Sequence, residues 1–207
     1  MLGERVLISA NTNPEAVREY RALYGKRYIQ GIAFQTYVND LREICGKPLI
    51  HYTTTAAEQI SIGESIEGYE VKYDSRSWKT GNFAFETHER AGVNRGQLVP
   101  SGLWRGDNTT TLIQGNMHDI FYFDAEELRK TLEAFYKGEI NPPGWRKDVA
   151  VWSYGNITSK LILVPVKDIL RLKMYKERHS PSDELVEHWK YGGFTYNGKK
   201  YDISEMC

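Results

Sequence analysis

At Ile66 the hydrophobic period of the chain changes from about 3.6 to about 2, so helices come first and a run of strands follows. Before the change, Thr12-Asn13-Pro14-Glu15 carries the polar cap, early proline and first-turn acid of a helix start. Ala16, Val17, Tyr20 and Leu23 follow at helical spacing, and Gly25 predicts the helix end. Phe34, Tyr37, Leu41 and Ile44 form a second helical stripe over 33–45, with Gly46 as terminator. Residues 53–60 read as a short capped helix. After Ile66, 67–74 reads as a strand and 82–88 as its hairpin partner, joined by the polar, turn-rich segment 75–81.

Further along, 91–108 reads as an ordered loop, and 110–114 and 119–123 as strands around the turn at Gly115-Asn116. Asp124 is placed to cap a helix whose stripe is Leu128, Leu132, Phe135 and Tyr136 and whose end is Gly138. Asn141-Pro142-Pro143-Gly144 breaks the chain before strands over 149–152 and 160–164. Helices over 166–177 and 182–190 and a hairpin over 194–201 complete it. This order predicts an α/β (α+β) fold with a central mixed β-sheet flanked by helices. Residues 1–176 form the expected core domain, with 177–207 a C-terminal helix and hairpin appended to it.

Bulk properties exclude several classes. Lys+Arg 27 against Asp+Glu 27 leaves a net charge of +0, so any basic surface is local. The 14 tyrosines and 5 tryptophans fit aromatic strands in a β-rich core. Cys45 and Cys207 make no disulfide framework, and the five histidines show no zinc spacing. Phosphate-binding glycine loops and serine-nucleophile elbows are absent from the sequence. No apolar leader or spanning segment is evident, so the expected location is cytoplasmic, that of the host cell if the source is viral.

The chemistry concentrates on the strand after Ile66. Strand side chains alternate, so Glu70 and Lys72 share one face while Tyr69, Val71 and Tyr73 take the other. Asp74 falls on the Glu70 face by the same count. Taken alone, an acid-x-lysine pair on a strand is commonly no more than a solvated face. Beside further carboxylates it is also what metal-dependent phosphodiester hydrolysis needs: an acid for a divalent cation and an ammonium for water or phosphate.

The flanking pattern gives the pair weight. The stretch Gly68-Tyr69-Glu70-Val71-Lys72-Tyr73-Asp74, followed by Thr80-Gly81-Asn82-Phe83-Ala84-Phe85-Glu86, resembles the PD-(D/E)XK nuclease superfamily, in a form associated with phage-borne and bacterial proteins. The resemblance runs over about 56–130. It implies a restriction-endonuclease-like core and a deoxyribonuclease, a hydrolase dependent on Mg2+ or Mn2+. It assigns Glu70 as the motif's second acid and Lys72 as its lysine. Glutamate stands where an aspartate is usual for the first acid: Glu64, in the turn before the strand, with Glu58 as a helix-borne acid, or the two reversed. Asp74 is a further ligand or support, and Glu86 reads as a cross-strand charge partner. Arg76, Lys79, Arg90, Arg95 and Arg105 are the expected phosphate contacts. The implied partner is DNA, with no membrane and a possible homodimer. The missing aspartate motivates a second reading, an inactive nuclease-fold protein that binds nucleic acid or a protein partner.

Overall fold

The computed structural model describes residues 14–53, 58, 61–90, 97–153, 156–172, 174–192, 194–196 and 198–201. The first element is one helix where two were expected: α1 runs unbroken over Pro14–Ile44, 31 residues. Gly25 does not end it. A single internal glycine costs only about 1 kcal/mol against alanine, less than the burial of Phe34, Tyr37, Val38 and Leu41 on the same helix returns. Gly46 does end it, at φ +66°. The Gly46 N–H bonds the Glu43 carbonyl at 2.9 Å and the Lys47 N–H bonds that of Arg42 at 2.7 Å, the paired closing bonds of a Schellman motif.

Two four-stranded sheets follow. The first has the order β1 (Tyr69–Tyr73), β4 (Thr111–Gly115), β5 (Ile120–Asp124) and β8 (Glu177–His179). Here β1 runs parallel to β4 and the other pairs are antiparallel, so the sheet is mixed. The second has the order β3 (Val99–Pro100), β2 (Asn82–Glu89), β7 (Asn156–Pro165) and β6 (Arg146–Ser153), antiparallel throughout. The strand expected to pair back on 67–74 therefore leaves for another sheet. A one-turn helix, α2 (Ser77–Thr80), turns the chain away, and Phe83 and Phe85 then bury between the sheets.

Alternation along β5 explains the layers. Ile120 and Tyr122 pack toward α1, whereas Phe121 and Phe123 face the second sheet. The first sheet thus has α1 on one face, while its other face packs with the second sheet and with the helical residues Leu128, Leu132 and Ile169. Phe83 and Phe85 of β2 meet Phe121 and Phe123 of β5 edge to face, with ring centroids 5.2 to 6.1 Å apart.

Helix α3 (Ala125–Lys137) starts where expected, with the Asp124 carboxylate accepting the Glu126 and Glu127 N–H groups, and ends at Gly138, φ +81°. Leu128, Leu132 and Phe135 are buried, but Tyr136 is 38% exposed and donates its hydroxyl to Asp148. Helix α4 (Val166–Leu172) is shorter than expected because Glu177 belongs to β8. The segment drawn as an appendage supplies that strand, the fourth of the first sheet. It also supplies α5 (Asp183–Gly192), whose Trp189 packs edge-on to Tyr37 at 5.4 Å. The protein is α+β; its described residues form the two mostly antiparallel four-stranded sheets and a two-stranded hairpin of Phe194–Tyr196 with Lys199–Tyr201. Among the described residues no helix is long and apolar enough to cross a membrane.

Candidate functional site

β1 is an edge strand, and its position decides what its charged side chains meet. Glu70 turns into a cleft of about 270 Å³ lined by Lys72, Asp74, Arg76, Glu86 and Gln114 among others. The Glu70 side chain is 0% exposed. Its Oε1 takes Lys72 Nζ at 3.1 Å and an Arg105 guanidinium nitrogen at 3.0 Å. Its Oε2 is buried and has no hydrogen-bond partner among the described residues. Burial pushes this carboxyl up, but the charges and hydrogen bonds of Lys72 and Arg105 more than reverse that, and it sits below the usual carboxylate range.

Lys72 keeps 41% of its side chain exposed. Desolvation works against its charge, and the carboxylates of Glu70 and Glu64 outweigh it, so the ammonium titrates above its ordinary value. The two carboxylates thus favour its cationic form.

Glu64 reaches β1 from the turn before it. Its backbone is set by a bridge between Tyr52 and Ser65 and by Asn108, whose side chain donates to the carbonyls of Ser65 and Ile66. Glu64 Oε1 accepts the Val71 N–H at 3.2 Å and Gln35 Nε2 at 2.7 Å. Burial raises its carboxyl above the usual value despite the Lys72 charge and these two bonds. A native carboxyl that holds its proton to higher pH contributes fully below the unfolded value, about 4.3, and loses that contribution as pH rises toward the native value. Glu64→Gln keeps the shape and the accepting oxygen without the charge. We therefore expect the variant's melting temperature to gain on the wild type's as pH rises above the unfolded value, about 4.3, as followed by calorimetry. Parallel curves would remove Glu64 as the source.

The other predicted residues divide. Asp74 lies at the end of the cleft, but both its oxygens are engaged. Oδ1 accepts the Arg76 and Ser77 N–H groups, and Oδ2 accepts Gln114 Nε2 and the Ala84 N–H. Here it anchors α2 rather than facing a ligand. Glu58 does not line the cleft, and its carbonyl accepts the Ile62 N–H at 2.7 Å. Glu86 lines the cleft and accepts the Ser101 hydroxyl at 2.7 Å. Arg76 stands at the cleft. Lys79 lies over the Trp78 ring at 4.9 Å, and Arg90 Nε donates to the Ile157 carbonyl. Arg95 lies outside the described residues. Arg105 is the counter-ion of Glu70 rather than a free phosphate contact, and it also approaches Asp107 at 3.5 Å.

Gln35 and Gln114 were missed. Gln114 left a trace in the sequence, as the lone polar residue inside the Leu112-Ile113-Gln114 run. Gln35 left none, since a polar residue on a helix surface is unremarkable.

A divalent cation fits at one point, the unpartnered Glu70 Oε2. Among the described residues, no group of three acid, histidine or cysteine side chains converges to hold a metal. No family model matches the chain, and neither a curated protein nor a solved structure matches it.

Proposed function

We propose that the protein hydrolyses phosphodiester bonds of DNA, in the manner of the PD-(D/E)XK nucleases that β1 and its flanking sequence resemble. Glu70 carries the reading. It is a carboxylate with no exposure, with one oxygen gripped by two cations and the other unpartnered, in a cleft where Lys72 stays open to solvent. Glu70, through its unpartnered Oε2 and with Glu64 as its neighbour, would hold Mg2+ or Mn2+, and such an ion supplies Lewis-acid polarisation of a phosphate when bound. The chain's own residues do the rest. Arg105 fixes the Glu70 rotamer from one side, so that Oε2 is the oxygen left available. Lys72, in its cationic form, stabilises the negative charge that grows on a phosphate in the cleft. Arg76 lines the cleft and would contact the phosphate backbone there.

A second reading rests on a specific observation. Lys72 and Arg105 together already offset the Glu70 charge, which suits a nuclease-like fold that binds nucleic acid or a protein partner without cutting.

Incubation of the full chain with supercoiled, linear double-stranded and single-stranded DNA, with Mg2+ or Mn2+, separates the two. The nuclease reading expects cleavage that Lys72→Ala lowers by at least about a hundredfold while leaving DNA binding largely intact. Cleavage by Lys72→Ala at the wild-type rate would sink it. Metal-independent binding with no cutting by the wild-type protein would establish the second reading instead.

A further inference from the structure

At the edge of the first sheet opposite β1, a second set of reactive side chains converges. Cys45 is exposed just past the end of α1. Its Sγ lies 4.0 Å from Nδ1 of His179, the last residue of β8. The other ring nitrogen, Nε2, is 2.8 Å from Glu177 Oε1 on the same strand. Lys47 Nζ bonds that same carboxylate oxygen and stands 3.3 Å from Nε2. The imidazole packs on the Tyr122 ring at 5.2 Å and keeps 15% of its side chain exposed. The groups facing this ring are therefore Cys45 of α1, Lys47 of the following loop, Tyr122 of β5 and Glu177 of β8. Arg42 reaches Tyr122 from α1. Arg178, between Glu177 and His179, points away and pairs with Asp119.

With the Nε2 proton donated to Glu177, the Nδ1 lone pair faces Cys45 Sγ. Nucleophile, base and orienting carboxylate then stand in the sequence that activates a thiol. The helix does not help, because the C-terminal end of α1 is the negative end of its dipole and disfavours a thiolate. Any activation of Cys45 has to come from His179 and the nearby cations.

We propose that Cys45 is a thiol–disulfide exchange site, with His179 as its base and Glu177 as a positioning residue, and that it takes disulfides of low-molecular-weight thiols. His179 Nδ1 accepts the proton of the Cys45 thiol. The thiolate attacks one sulfur of the disulfide, a new S–S bond forms to Cys45, and the old S–S bond breaks. The released thiolate takes the proton back from His179 and leaves as a thiol, so no further oxidant is needed. A surface sulfur suits this electrophile, because exchange requires an accessible thiolate and no cradle for an acyl oxyanion.

The test uses the full chain with Cys207→Ser, so that one thiol remains, and oxidised glutathione as the probe. Adduct formation is followed by intact mass against pH. An imidazole-assisted thiol outpaces a free thiol by about tenfold in mild acid, its gain in thiolate partly offset by weaker nucleophilicity. The folded protein should show that margin over the same protein in denaturing urea. His179→Gln should erase the margin, and Glu177→Gln should shrink it. A folded rate no greater than the unfolded rate overturns the proposal without recourse to any variant. An unchanged profile in a folded His179→Gln overturns it equally.

Discussion

Glu70→Ala should destabilise the protein by about 3 kcal/mol in urea denaturation, although it deletes a charge from the interior. Removing one member of a buried ion group typically costs about 3–5 kcal/mol, because the partners lose their compensation. Here Lys72 and Arg105 would face each other with no anion between them. Their side chains are 41% and 36% exposed, so they can turn partly to water, which places the loss at the lower end. The pH dependence follows from the lowered carboxyl of Glu70. A depressed native value stabilises above the unfolded value, about 4.3, and the benefit is lost as pH falls through the native one. The gap between the wild type and Glu70→Gln should therefore narrow in acid. A Glu70→Ala loss within about 0.5 kcal/mol, the range of ordinary surface substitutions, would mean that the ion group is not assembled as described.

Phe123→Ala should cost as much or more, about 3–5 kcal/mol, by a different mechanism. Phe123 is 0% exposed and lies between the sheets, edge to face with Phe83 and Phe85 and stacked beside Phe121 at 6.1 Å. Truncation removes transfer free energy and leaves a void that two hydrogen-bonded sheets cannot collapse to fill. Because its rings come from both sheets, the double variant Phe83→Ala/Phe123→Ala should fall short of the sum of the single losses. Strict additivity would show that the four rings do not act as one cluster.

The parts of this fold that could be read from sequence are those fixed locally. The cap at Asp124, the terminators Gly46 and Gly138 and the β4–β5 hairpin depend on residues within a few positions of one another, and all are where their residues place them. The misreadings are of long range. Two helix stripes separated by Gly25 look like two helices, because the packing of Phe34, Tyr37, Val38 and Leu41 that holds α1 is against a sheet still to come. The partner of 67–74 looked like the next strand, because adjacency is the usual rule. Asp74 instead caps a turn that redirects the chain, and β1 finds its neighbour at Thr111. The site shows the same division. Alternation puts Glu70 and Lys72 on one face, but nothing in the local pattern says that Arg105, 35 residues on, closes over Glu70. Likewise, no signal near Cys45 points to His179, 134 residues away.

The turn before β1 also governs how this protein meets other chains. An edge strand offers outward N–H groups to any extended peptide, and strand addition there leads to swapping or fibre growth. On β1 the side chains of Ser65 and Glu64 occupy two of those positions, taking the N–H groups of Tyr69 and Val71. The strand that carries Glu70 and Lys72 thus has two of its outward N–H groups taken by its own lead-in, which closes that stretch of the backbone rim to recruitment.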